Sequence, residues 1–106
     1  MKDVTLLVKT FERSDCLRRL LNSIRKFYSD VPVIVADASW VPYARRLRRK
    51  HVRSITLEPN VGLSAGRNAM VKAARTKYVV ILDDDFVFLA ATKLEVLRAT
   101  LEANEA

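Results

Sequence analysis

Three consecutive carboxylates, Asp83-Asp84-Asp85, follow the apolar run Tyr78-Val79-Val80-Ile81-Leu82. Like charges packed together repel, and partial burial sharpens the repulsion, so the triplet needs a reason. On an extended backbone Asp83 and Asp85 point to one side and Asp84 to the other. Two carboxylates on one side can converge on a hard cation, directly or through water or a ribose hydroxyl, and oxygen ligands favour Mg²⁺ or Mn²⁺. Such an ion bridges two phosphates and neutralises the charge that develops on a leaving diphosphate. The alternative is a solvated acidic turn, since short acidic triplets are common. Position favours the metal reading: the longest apolar strand delivers the cluster, in an otherwise basic chain.

A second cluster is Gly62-Leu63-Ser64-Ala65-Gly66-Arg67-Asn68, which opens a helical stretch. It fits neither the dinucleotide fingerprint nor the P-loop. Exposed N–H groups at a helix start favour an anion, and Arg67 adds a forked donor suited to phosphate. The competing view is that the glycines allow a turn and close packing while Arg67 faces solvent. The single cysteine, Cys16, excludes an internal disulfide and a cysteine-rich zinc site, and its place in a leucine-rich helix suits an inert thiol.

The elements that must position these residues can be read from periodicity. Val4–Val8 is a short apolar run expected as a buried strand. From Asp15 onward, Leu17, Leu20, Leu21, Ile24 and Phe27 make one helical face, with Ser14 and Asp15 as expected N-terminal caps. Val31–Ala36 is a second strand, Tyr43–Lys50 a short basic helix, and Ser54–Leu57 a third strand. A helix over Ser64–Arg75 carries the small-residue face Gly66, Ala69, Met70, Ala73 and Ala74, and Tyr78–Leu82 is the strongest strand. Thr92 with Glu95 signals a last helix bearing Leu94, Leu97 and Leu101. This alternation predicts an α/β fold with a mostly parallel sheet covered by helices on both faces. Right-handed crossovers bring the strand C-termini, and so Thr10, Asp37 and Asp83, to one edge, where open α/β sheets bind ligands.

At 106 residues and half hydrophobic, with two Gly and three Pro, the chain reads as one packed domain. No apolar run approaches the roughly 20 residues of a membrane span. No secretory signal is visible at the start, which leaves the compartment open. The formal charge of +7 points to anionic partners. The basic run Arg45, Arg46, Arg48, Arg49, Lys50 and Arg53 has few aromatics beside it to stack bases. It reads as a solvated helix face, with nucleic acid or an anionic surface as the lesser alternative.

Taken together, Val4 to Phe88 resembles the first half of a family-2-like glycosyltransferase of the GT-A fold. The motifs V-K-T-F-x-R, V-I-V-A-D-x-S, G-x-x-A-G-R-N and K-Y-V-V-I-L-D-D-D-F-V-F, in that order, are similar to the β-1,4-N-acetylgalactosaminyltransferase subgroup. The resemblance implies a Rossmann-like nucleotide-binding half, a UDP-sugar donor such as UDP-N-acetylgalactosamine, a divalent cation (Mn²⁺ or Mg²⁺) and a glycan acceptor. It implies that Thr10, Phe11 and Arg13 contact the nucleotide and that Asp37 reads the uracil or its ribose. By the same resemblance Arg67 approaches the nucleotide sugar, and Asp83 and Asp85 are the outer positions of the D-x-D, with Asp85 the direct metal ligand. Asp84 is then the intervening, less defined member. Members of the subgroup face the secretory lumen, whereas bacterial members of the wider family are cytoplasmic.

The departure from that family is length. Its second half supplies the acceptor site and usually the catalytic base, and here Asp85 is followed by one helix's worth of chain. Glu95, Glu102 and Glu105 all belong to that helix, so no base is assigned. Inverting transfer needs a base for the acceptor proton and a cation for the leaving UDP, and only the second is visible. The expectation is therefore a donor-binding part of a larger transferase, with little transfer activity by itself and a tendency to self-associate through an uncovered apolar face. A non-catalytic nucleotide-sugar binding module is the alternative.

Overall fold

The computed structural model describes residues 4–44, 49–59 and 63–84. Four strands and two helices alternate along the chain: β1 (Val4–Thr10), α1 (Ser14–Phe27), β2 (Val33–Asp37), β3 (Val52–Thr56), α2 (Leu63–Ala73) and β4 (Tyr78–Asp83). The strands form one sheet in the order β3-β2-β1-β4, with every neighbouring pair parallel. Every strand expected from the apolar runs is present, each within two residues of its expected bounds.

The register explains which face each residue serves. Leu6 pairs with Val33 and Val80, and Leu7 with Ile34 and Ile81, so the two faces alternate along β1. One face carries Val4, Leu6, Val8, Val33 and Val35, which pack with Leu17, Leu20, Leu21 and Ile24 of α1. The opposite face carries Leu7, Ile34 and Ala36, which pack with Met70 of α2. Helices thus cover both faces. β1 and β2 lie between the two layers and are almost wholly buried, as their unbroken apolar sequences require.

α1 departs from expectation at both ends. It begins at Ser14, with Arg13 in the capping position and no side-chain cap hydrogen bond. Neither Ser14 nor Asp15 is therefore the cap. The chain is instead steered into the helix by neighbouring side chains: Glu12, at φ 55°, donates its N–H to Ser39 Oγ at 2.8 Å, and Arg13 donates its N–H to the Tyr43 hydroxyl at 3.0 Å. At the other end Phe27 is 36% exposed, on the last turn where the helix face leaves the sheet, with the Lys26 ammonium 5.5 Å from its ring.

The small-residue face of α2 is present: Gly66 and Met70 are buried, and Ala73 and Ala74 pack against the second core. Residues 45–48 of the expected basic helix over 43–50 and all of the last helix lie outside the described residues, as does Asp85. Among the described residues no helix is long and apolar enough to cross a membrane.

Candidate functional site

In the order β3-β2-β1-β4 the connections leave β1 in opposite directions, so the switch in strand order falls between β1 and β4. The loops at the C-terminal ends of these strands diverge there and leave a crevice. A cleft of about 200 Å³ occupies that place, lined among others by Lys9, Thr10, Phe11, Arg13, Arg67, Asp83 and Asp84. Six residues expected at the site, all except Asp37 and Asp85, are thereby brought together by three separate segments.

The two described carboxylates differ. Asp83 ends β4 on the α2 face and is exposed. Asp84 turns toward the α1 side and is only 6% exposed. Its Oδ2 accepts a hydrogen bond from Thr10 Oγ1 at 2.9 Å, and Arg13 Nη1 stands 3.6 Å from Oδ1. The residue least defined by resemblance is thus the one most firmly held. Behind it runs a directed chain of donors. The Arg13 N–H donates to the Tyr43 hydroxyl, that hydroxyl contacts Thr10 Oγ1, and Thr10 donates to Asp84. Because Thr10 donates its single hydroxyl proton to Asp84, the Tyr43 hydroxyl must be the donor to Thr10 Oγ1.

Asp37 sits opposite Thr10 in the register but does not line the cleft. Its Oδ1 accepts the Ser39 N–H at 2.9 Å, and its Oδ2 accepts those of Tyr43 at 2.8 Å and Ala44 at 2.9 Å. Burial pushes this carboxyl up. The Ala44 N–H, the Ser39 hydroxyl and N–H, and the Tyr43 N–H outweigh that and hold it below the usual carboxylate range. In this structure Asp37 spends its carboxylate on holding the loop that follows β2. It serves the cleft through Tyr43, whose backbone it fixes and whose hydroxyl reaches Thr10.

Two participants escaped the motif reading. Tyr43 has no spacing signal, because its link to Thr10 arises only when β1 and β2 pair. Lys9 stands inside the V-K-T-F motif, and a lysine in a buried strand was itself the available signal.

Among the described residues no group of three or more acidic, histidine or cysteine side chains could hold a metal ion. Asp83 and Asp84 supply oxygen donors of the type a hard cation takes, with the third carboxylate of the triplet next in sequence. Of the basic run, Arg49 donates to Asn22 Oδ1 at 2.7 Å and Arg53 is exposed on β3.

Known proteins share both sequence and fold with this chain. It is 46% identical over 99 residues to "Beta-1,4 N-acetylgalactosaminyltransferase 1" of Mus musculus, covering 93% of this chain and 18% of that protein. It is 45% identical over 102 residues to "Beta-1,4 N-acetylgalactosaminyltransferase 2" of Mus musculus, covering 96% of this chain and 20% of the relative. The chain therefore spans about a fifth of the length of these relatives. Its fold matches the crystal structure of S. aureus TarS with a TM-score of 0.75 at 25% identity, over 97% of this chain and 20% of that one. The family described as "Glycosyl transferase family 2" matches residues 5–106, and the chain belongs to that family.

Proposed function

We propose that this chain is the donor-binding part of a metal-assisted glycosyltransferase, holding a UDP-sugar for transfer to a glycan acceptor. The observation that carries the reading is the cleft at the β1–β4 switch, where Asp83 and Asp84 face Arg13 and Arg67 across one small space. Acidic and basic side chains set together suit a ligand that is itself an anion accompanied by a cation. UDP-N-acetylgalactosamine is the donor favoured by the names of the relatives.

In this reading Arg13 and Arg67 bind phosphate oxygens, with Thr10 and Phe11 lining the nucleotide's path. Asp83 and Asp85 would hold Mn²⁺ or Mg²⁺. The ion, when bound, supplies positive charge to the diphosphate as it leaves. Asp84, already tied to Thr10 and Arg13, fixes the geometry of that end of the cleft. Asp37 contributes by holding the neighbouring loop. No residue of the chain is assigned here as the base.

Calorimetric titration of UDP with and without Mn²⁺, on the wild-type chain and on Asp85→Ala, tests this. The expected result is binding that weakens at least about tenfold without the metal and again in the variant, the loss of one charge-assisted contact. Binding of equal strength in all four titrations would remove the metal from the proposal. Absence of UDP binding throughout would remove the nucleotide as well. Self-association is part of the same reading, because Val79 and Ile81 stay 36% and 42% exposed on the α2 face of β4. A single monomeric species in sedimentation at high concentration would count against it.

A further inference from the structure

Lys9 is an unusual residue for its place. It lies near the end of β1, between Ala36 of β2 and Asp83 of β4, on the face that α2 covers. A lysine there must run its methylene stem between helix and sheet to bring its ammonium to the sheet's edge. The stem takes that path directly under Gly66. A Cβ built on Gly66 would stand 2.6 Å from Lys9 Cδ and 2.9 Å from Cε, closer than side-chain carbons approach. Glycine inside a helix is otherwise unfavourable relative to alanine, and its φ here is not positive, so no backbone requirement explains it. The passage for the lysine does.

The stem leads into the cleft, which Lys9 lines with Arg13, Arg67, Asp83 and Asp84. Among the described residues its ammonium makes no hydrogen bond or ion pair, even though Asp83 is its register neighbour on the same face. Arg13, by contrast, stands against Asp84. The cleft therefore holds a half-buried cation with a fixed approach and no described protein partner.

We propose that Lys9 is a phosphate-binding residue of this cleft, its ammonium directed by Gly66 onto the diphosphate of the bound nucleotide. The proposal rests on the donor-binding reading for the nucleotide, but the diphosphate contact can be tested without it. Lysine suits the task as a compact point charge with rotatable donors.

The test is calorimetry on the 106-residue chain with UDP, uridine and inorganic diphosphate, comparing wild type, Lys9→Met and Gly66→Ala. Lys9→Met keeps the stem and removes the charge. It is expected to weaken UDP and inorganic diphosphate by roughly ten- to a hundredfold while leaving uridine unchanged, the loss of a charge-assisted hydrogen bond. Gly66→Ala keeps the charge but displaces the stem, and should weaken the same two ligands by less. A far-ultraviolet circular dichroism spectrum equal to wild type shows that either variant has folded. If UDP binds the wild type and Lys9→Met equally, the assignment is overturned and the nucleotide reading stands. If inorganic diphosphate binds in a Lys9-dependent way but UDP does not, the nucleotide reading fails and the assignment holds. Binding of neither ligand overturns both. Tighter Mn²⁺ binding by Lys9→Met, with diphosphate affinity unchanged, would make Lys9 only a counter-charge to the aspartates and would also overturn it.

Discussion

Replacing Asp37 by alanine is expected to lower the stability of the chain by about 3–4 kcal/mol, without contact between Asp37 and the cleft. The carboxylate is 1% exposed and accepts three backbone N–H groups from one loop. Each buried donor left without a partner costs about 1–3 kcal/mol, and partial rehydration of the loop holds the sum near the lower end. Against a total of about 5–15 kcal/mol for a small domain, this is a large fraction. Asparagine should cost about half as much, because its one carbonyl oxygen can serve Tyr43 and Ala44 while its amide faces the Ser39 N–H. The measurement is urea unfolding, read from the midpoint at constant slope. A loss below about 1 kcal/mol for Asp37→Ala would show that the loop holds its shape by other means.

The same residue sets a pH dependence. Its folded carboxyl titrates below the usual range, so protons bind the unfolded chain first as pH falls. The contribution is fully present above the unfolded value of about 3.9 and is lost as pH drops through the lower, folded value. The stability difference between wild type and Asp37→Ala should therefore be flat at neutral pH and shrink below about pH 4.

Thr10→Val is expected to cost about 3 kcal/mol, although valine nearly matches threonine in shape. Two polar groups lose their partner at once: Asp84 Oδ2 loses a donor, and the Tyr43 hydroxyl loses an acceptor. Each loss costs about 1–3 kcal/mol when the group is out of water. Tyr43→Phe should be milder, since Thr10 can still donate to Asp84, and Thr10→Ser milder still because the hydroxyl survives. That ranking, measured by urea unfolding, checks the direction of the donor chain. Equal losses for valine and serine at position 10 would mean that Asp84 is held without Thr10.

The periodic features of the fold were legible because they are local. Val4–Val8, Val31–Ala36 and Tyr78–Leu82 are apolar runs from which three of the strands follow, the first two buried on both faces and the third on one. The helical face Leu17, Leu20, Leu21 and Ile24 was visible for the same reason. The start of α1 was not, because Glu12 and Arg13 are held by Ser39 and Tyr43, far along the chain. The residues of the cleft were largely legible from motif order, and the strand-end rule placed them on one edge. The work of each was less so. Asp37 carries the acidic residue of a recognisable motif, yet only the folded loop shows that its oxygens are spent on backbone donors. Lys9 and Gly66 are separated by most of the chain, and nothing in either neighbourhood announces that one makes room for the other.

The strand order has a consequence for how the site opens and closes. β1, which carries Lys9 and Thr10, is paired on both sides and sealed on both faces, so its amides should exchange with deuterium only on global unfolding. β4, which carries Asp83, is paired to β1 alone among the described strands and shows solvent its Val79 and Ile81 face. Its amides should exchange through smaller, cheaper openings. The seam between the slowest- and faster-exchanging strands runs through the middle of the cleft. A ligand gripped from both sides of that seam joins the two, and its first visible effect should be slower deuterium uptake along Tyr78–Asp83, with β1 unchanged.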